Sequence, residues 1–349
     1  MSQTLILLGD INFKGMADTS RNFERIAPML ASADVVFANL ECCFHRLSSD
    51  TDERRGFYVE PAMARALKDA HLHAVGNANN VNIGRAAILE TNATLDDLGI
   101  AHVGAGRDAR SAQAPLVIER DGVRYGILQR TAVYWPDNHE AGHAAPGVAV
   151  IRGHTAYRPA LQLQSARTRP GVPPEVITWA DPESIALFRD DIAALRVQAD
   201  VVIASLHWGF RREVLAYQRE FAQAAIDAGA DLVYGHGPHM ILPIELYRGK
   251  PIFYGLGNFS FHMAHNVDLH HEWLGMVVEA TITDKELVGW RIRFVERDEG
   301  NRTLIAKLDA HREEFERLCG YAAQMNASLT TSEDGLSCDL TLGPAKATV

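Results

Sequence analysis

The sequence predicts an α/β protein, and three observations predict it. Short apolar runs of strand type alternate with helical patterns along most of the 349 residues. Several of those runs end in polar residues, the position at which an α/β sheet presents its ligands. Hydrophobic residues make up 47 % and charged residues 22 %, the balance of a chain that buries a large core. The first third alternates strand 5–8, helix 21–30, strand 35–39, helix 61–70 and strand 73–76. A helix over 84–98, stopped by Gly99, leads to a strand at 100–103. The runs 115–119 and 123–128 then read as a hairpin turning at Asp121-Gly122. From Tyr134 to about Asp181 no period persists, which marks an insertion or lid over a site. Regular patterns return as helix 182–197, strand 201–206, helix 217–228 and strand 231–234. Two more hairpins follow, one around Arg248-Gly249 (arms 241–247 and 251–254) and one around Asp284-Lys285 (arms 276–283 and 287–295). Residues 1–300 read as the main domain, and 301–349 as an amphipathic helix near 304–322 with a polar tail.

Charge and cysteine content narrow the function. With 34 Lys plus Arg against 44 Asp plus Glu, the formal net charge of −10 opposes attraction to phosphate backbones and anionic lipid. Nucleic acid and membrane are therefore not expected partners. The longest early apolar stretch, Leu5 to Leu8, is shorter than a signal-peptide core of about 7–15 residues and a span of about 20. A cytoplasmic location is expected, with Cys42, Cys43, Cys319 and Cys338 as reduced thiols. Fifteen histidines, several beside Gly, Asp or Asn at strand ends, are the first functional hint.

Six segments place polar residues just after apolar runs: LLGDIN (7–12), FANLE (37–41), GNANN (76–80), SLHWG (205–209), YGHGPH (234–239) and GLGNF (255–259). Taken singly, an Asp after a strand is usually a helix cap, and a lone buried His is usually a hydrogen-bonded core residue. As a set, one Asp, one Glu, an amide Asn and three His supply oxygen and imidazole ligands for divalent metals.

With GD at 9–10, ADVVFANLE at 33–41, ANN at 78–80, GIAHVGAG at 99–106, SLHWG, DAGADLVYGHGPH at 227–239 and GKPIFYGLGNF at 249–259, the chain resembles the CapA family. That family of capsule or poly-γ-glutamate synthesis proteins lies within the calcineurin-like metallophosphoesterase superfamily, and the likeness covers residues 4–261. The resemblance implies the calcineurin-like metallophosphoesterase fold, a two-sheet β-sandwich flanked by helices with a metal site at one edge. It implies that Asp10 and Asn12 bind a first metal and that Glu41 stands at the bridging carboxylate. Asn80, His207 and His236 complete the second metal, and His239 returns to the first. Two ions of Mn, Fe or Zn, roughly 3.5–4 Å apart, can hold a bridging hydroxide and polarise an electrophile. Asn79 and Asn258 are candidate substrate-binding amides.

Two positions depart from the superfamily pattern. Its His after the Asn ligand is Val81 here, so a proton donor must come from elsewhere. Candidates are His45, His139, His143 and Tyr157, with His45 and His143 placed first; restoring the donor with Val81→His is expected to raise phosphodiesterase activity. Gly237 also replaces a His of the form GHHPH, between two presumed ligands. His262, His265, His270 and His271 near Trp273 read as a polar loop near the site. Arg54, Arg55, Arg211 and Arg212 read as solvated surface, and Cys42-Cys43 as small buried hydrophobes. The resemblance thus implies a metal-dependent hydrolase whose bridging hydroxide attacks a phosphoester or a γ-glutamyl amide of a small-molecule, peptide or polymer substrate. An amide-forming or group-transfer enzyme of peptide or polymer biosynthesis, and a noncatalytic assembly component, stay open beside it.

Overall fold

The computed structural model describes residues 2–47, 54–137, 139–161, 163–263 and 273–343. The strand Ser2–Asn12 is buried along almost its whole length, which is why it reads as a continuous apolar run. It pairs in parallel with Val35–Leu40, which continues in parallel to Ala74–Gly76 and Ala101–Val103. On its other side it pairs antiparallel with Leu274–Thr283, followed by Glu286–Arg297. Together with shorter strands these form a ten-stranded sheet. A second, six-stranded sheet runs in the order Ile244–Tyr247, Lys250–Phe253, Leu232–His236, Val201–His207, Val123–Thr131, Leu116–Arg120. Its four inner strands are parallel.

Period-two alternation explains how the sheets pack. Leu5, Leu7, Val35 and Phe37 of the first sheet share one apolar cluster with Tyr125, Ile127, Ile203 and Tyr234 of the second. Phe37 and Tyr234 meet edge to face across it, ring centroids 6.1 Å apart. The intervening residues Ile6, Leu8, Val36 and Ala38 point outward to Leu67 and Leu95 on helices Arg65–Asp69 and Arg85–Leu98. On the other side Val202, Ala204 and Leu206 meet Phe188, Ile192 and Phe221 on helices Pro182–Gln198 and Ala216–Asp227. Two sheets therefore face one another with helices on both outer faces, an α/β architecture as the sequence predicts.

The local signals have physical counterparts. Gly99 ends its helix at φ 69°, and Asp181 caps the next long one by accepting from the Ser184 N–H at 2.8 Å. Both residues at the tips of the three hairpins have positive φ: Asp121-Gly122, Arg248-Gly249 and Asp284-Lys285.

Two segments differ from the sequence reading. The stretch 134–181, expected to be irregular, contains a hairpin, Gly153–Arg158 with Glu175–Ala180. Most of its residues face solvent, so no apolar alternation announces it. It leans on the helix Ala216–Asp227, where the Tyr217 N–H donates to Thr178 Oγ1 at 3.4 Å and the Ala180 N–H to Glu220 at 2.6 Å. The segment 301–349, expected to be a helix and polar tail, adds strands to the first sheet. Thr303–Ala306 pairs with Glu286–Arg297, the helix begins only at Arg312, and the hairpin Ala327–Thr331 with Cys338–Leu342 forms the sheet edge. Ala327, Cys338 and Leu340 are its buried anchors.

The ends of the strands Ser2–Asn12, Val35–Leu40, Val201–His207 and Leu232–His236 meet at one edge, which brings their polar residues together. At that edge Gly9 lies against the loop before Asn258: a Cβ there would sit 2.0 Å from the Gly257 carbonyl, the same oxygen that accepts the Asp10 N–H at 3.0 Å. Since backbone must move to admit any side chain, Gly9→Ala is expected to cost about 2–3 kcal/mol in urea unfolding. It should also disturb Asp10. An unchanged unfolding midpoint would contradict this close approach.

Candidate metal centre

Asp10, at the end of the first strand, is fully buried and held from several sides. Asn39 Nδ2 donates to its Oδ1 at 2.8 Å, and the Gly237 N–H to its Oδ2 at 3.3 Å. His239 Nδ1 lies 3.0 Å from Oδ2, and His236 Nδ1 3.9 Å from Oδ1. Glu41, one residue past the second strand, spans the same space: Oε1 is 3.7 Å from His207 Nε2 and Oε2 is 3.6 Å from His239 Nδ1. His207 and His236 are register partners at the ends of adjacent parallel strands, which sets their Nδ1 atoms 3.0 Å apart. Asn80 Oδ1 meets His207 Nε2 at 2.9 Å. Two groups thus have ligand atoms mutually within 4.8 Å, Asp10 with His207 and His236, and Asp10 with Glu41 and His239. Asp10 is common to both.

Electrostatics distinguish the members. Burial, then the neighbouring His236, push His207 well below the ordinary imidazole range, and burial brings His236 down to about 3. Both are therefore neutral at pH 7, the form that ligates metal. Burial, then the charge of Asp10, raise Glu41 well above the usual carboxylate range. For His239 burial opposes the charged form, but Glu41 and Asp10 outweigh it and carry the imidazole up to about 9. The sign of the pH dependence follows. In metal-free protein, stability from His239 is full below about pH 6.5 and is lost as pH rises through about 9; the raised Glu41 acts in the same sense. Because the depressed His207, His236 and His139 add stability as pH rises through about 6.5, the fall is read above that range: urea unfolding in chelator at pH 8, 9 and 10 should show falling stability, with a smaller fall in His239→Gln. A rise with pH would contradict the assignment of these charges.

The donor set fits divalent metal. Glu41 Oε2 is buried and, among the described residues, has no hydrogen-bond partner, as expected of an atom that faces a cation. The mixture of carboxylate, imidazole and amide oxygen offers both oxygen and nitrogen ligands to such an ion.

A polar layer supports the cluster from below. Gln129 crosses from the second sheet to the first, donating to Asn39 Oδ1 at 3.1 Å and accepting from the Ala78 N–H at 2.7 Å. Its Nε2 also lies 3.4 Å from His236 Nε2, and Ser205 Oγ approaches the same ring nitrogen at 2.9 Å. The far side of that ring is thereby occupied, and Nδ1 turns towards Asp10 and His207. Gln129, Asn39 and Ser205 carry no assigned role in the sequence reading. Their signal is a fully buried polar side chain in an otherwise apolar strand.

Of the other expected residues, Asn258 alone among those described has a hydrogen bond to these ligands. Asn12 is spent on backbone, donating to the Met263 carbonyl at 2.9 Å and accepting from the Lys14 N–H at 2.8 Å. Asn79 likewise donates to the Leu40 carbonyl and accepts from Val81 and Asn82 N–H groups, so it shapes its loop instead of facing a substrate. Asn258 does reach the cluster, with Oδ1 3.1 Å from His239 Nδ1. His45 is paired with Glu90 on the outer helix. His139 is buried, its pKa down to about 4, with the Trp135 N–H and the Asn82 carbonyl on its two ring nitrogens. His143 is exposed in a tight turn, and Tyr157 is 71 % exposed on the hairpin. Of the arginines, Arg55 pairs with Asp137 and lies over the Trp135 ring, whose indole N–H donates to the Asn80 carbonyl. Arg211 stacks on Phe210, and Arg212 pairs with Glu314. Burial raises both Cys42, to about 12, and Cys43, whose thiol donates to Asn82. His265, His270 and His271 lie outside the described residues.

The profile described as bacterial capsule synthesis protein PGA_cap matches residues 4–263. The chain belongs to this family. Curated relatives include the PGA biosynthesis protein CapA of Bacillus subtilis (strain 168), 28 % identical over 68 % of this chain and 56 % of its own length. The probable polyglutamine synthesis accessory protein of Mycobacterium tuberculosis (strain CDC 1551 / Oshkosh) is 30 % identical over 65 % of this chain and 55 % of its own. The capsule biosynthesis protein CapA of Bacillus anthracis is 26 % identical over 74 % and 59 %. The chain thus spans little more than half the length of these relatives. Among the described residues no helix is long and apolar enough to cross a membrane.

Proposed function

We propose that this PGA_cap chain is a metal-dependent hydrolase on a calcineurin-like metallophosphoesterase fold, acting on a phosphoester or an amide such as a γ-glutamyl bond. The observation that carries the reading is the pair of ligand groups joined at Asp10. Asp10, Glu41, Asn80, His207, His236 and His239 would hold two divalent ions. Such ions supply Lewis acidity and an activated water at neutral pH.

The remaining work falls to side chains. Asn39 and the Gly237 N–H fix the Asp10 carboxylate, while Ser205 and Gln129 fix the His236 ring. Asp10, Glu41, His207 and His236 are buried, whereas Asn80 is half-buried and the His239 side chain is 30 % exposed. Substrate therefore approaches on the Asn80–His239 side. Among the described residues no hydrogen bond joins His45, His139, His143 or Tyr157 to the ligands, and His139, though near enough to act on His207, has both ring nitrogens engaged by backbone, so the leaving group takes its proton from water on that open side. The names of the relatives, PGA biosynthesis and polyglutamine synthesis among them, make a glutamyl amide one substrate to test.

The full chain, reconstituted with Mn²⁺, should hydrolyse bis-p-nitrophenyl phosphate or γ-glutamyl-p-nitroanilide in a chelator-sensitive way, with at least about 100-fold loss in His207→Ala. Full metal content without turnover of either probe would overturn hydrolysis. Such a result would favour the group-transfer reading.

A further inference from the structure

We propose that an apolar pocket beside the metal centre receives an apolar, aromatic-sized side chain of a peptidyl substrate; this rests on the reading of that centre as the reaction site. The pocket has a volume of about 300 Å³ and is walled by Val133, Tyr134, Gly209, Phe210, Leu215 and Tyr217. That size is at the lower end for small-molecule sites and suits one side chain more than a whole polymer segment.

Its position follows from the strands that build the centre. The Ala132 N–H, at the pocket, donates to the His207 carbonyl at 2.8 Å. Gly209 lies two residues past His207, and a Cβ on it would come within 3.0 Å of Pro238, between His236 and His239. The floor is tied shut where the Gly209 N–H donates to the Tyr217 hydroxyl at 2.8 Å. Thr155 and Thr178, opposite one another in the hairpin, also line the pocket. Two residues further along the same face stand Tyr157 and Val176, again a register pair. Phe210, in the pocket wall, is 71 % exposed, and further along the hairpin Tyr157 is 71 % and Val176 53 % exposed.

The lining also states what the pocket refuses. Among the described residues its one histidine, His154, is paired with Asp181 at 2.9 Å, and no lysine or arginine is in its wall, Arg211 lying over the Phe210 ring. A glutamyl carboxylate entering it would lose water without gaining a counter-charge, and the chain's net charge of −10 repels a polyanion from afar. The pocket thus selects an apolar residue over glutamate next to the group that reacts.

The test uses the full chain, Mn²⁺-loaded and metal-free, titrated calorimetrically with N-acetyl-Gly-Phe-Gly-amide and N-acetyl-Gly-Glu-Gly-amide. The Phe peptide should bind at least about tenfold tighter in both forms. Leu215→Asp places a carboxylate in the lining at a helix N-cap, where Asp is well accommodated, and Phe210→Ser trims an exposed wall. Each should reduce the preference below about threefold with circular dichroism and metal content unchanged. Equal binding, no measurable binding of the Phe peptide, or a preference untouched by both variants overturns the proposal. The two readings separate cleanly. A Phe preference without metal uptake or turnover sinks the hydrolase and keeps the pocket, whereas turnover without preference does the reverse.

Discussion

Asp10→Asn is expected to strip the protein of its metal while leaving it folded, from about two ions per chain to fewer than about one by elemental analysis. Asp10 is the single carboxylate common to both ligand groups, so its loss weakens both sites at once. Asparagine is the informative replacement because it keeps the shape and its one amide oxygen can still accept from Asn39 Nδ2, so that of these two donors only the longer Gly237 N–H contact at 3.3 Å loses its acceptor, at a cost of about 1–3 kcal/mol. The metal-free variant should even relax, since the charge of Asp10 is one reason the buried Glu41 resists ionisation. Melting curves supply the second readout. Mn²⁺ at about 100 times its dissociation constant should stabilise the parent chain by about 2.7 kcal/mol and leave Asp10→Asn unmoved. Full metal content in Asp10→Asn would remove this carboxylate from the centre.

How legible this was depends on the range of the interaction that fixes each feature. Hairpin tips at Asp121-Gly122 and Asp284-Lys285 and the stop at Gly99 are local matters of φ, visible in a few residues. Strand ends bearing Asp10, Glu41, His207 and His236 could be read because parallel strands must finish at one edge. Asn12 could not, because its amide is turned by the Met263 carbonyl, 251 residues away. Asn79 differs from Asn80 only in direction, one amide folded back on its loop and the other against His207. Nor could the hairpin at 153–180 or the strands after Asn326 be read as such. Their stability comes from packing on the helix Ala216–Asp227 and on the sheet edge, with little apolar periodicity of their own.

Val81→His, which on sequence grounds should restore a proton donor, is expected instead to destabilise the protein by about 2–4 kcal/mol with no gain in phosphodiester hydrolysis. Val81 is 1 % exposed and belongs to the apolar cluster of Cys42, Phe44, Phe57 and Val59 beneath the outer helices. Its backbone carbonyl accepts from the Phe57 N–H at 3.2 Å, which holds this turn against that cluster. An imidazole there would be larger than the space and would bury a ring N–H and a ring acceptor among hydrocarbon. Urea unfolding would read the loss. The Mn²⁺-loaded variant, assayed on bis-p-nitrophenyl phosphate, should be no faster than the parent. A rise of tenfold or more would mean that position 81 can swing to the substrate and that the chain lacks only the residue. The expected result places the difference deeper: with residue 81 given to the core, the side chains of Asn80 and His239 form the open boundary of the centre, and a substrate whose leaving group needs a proton must receive it there.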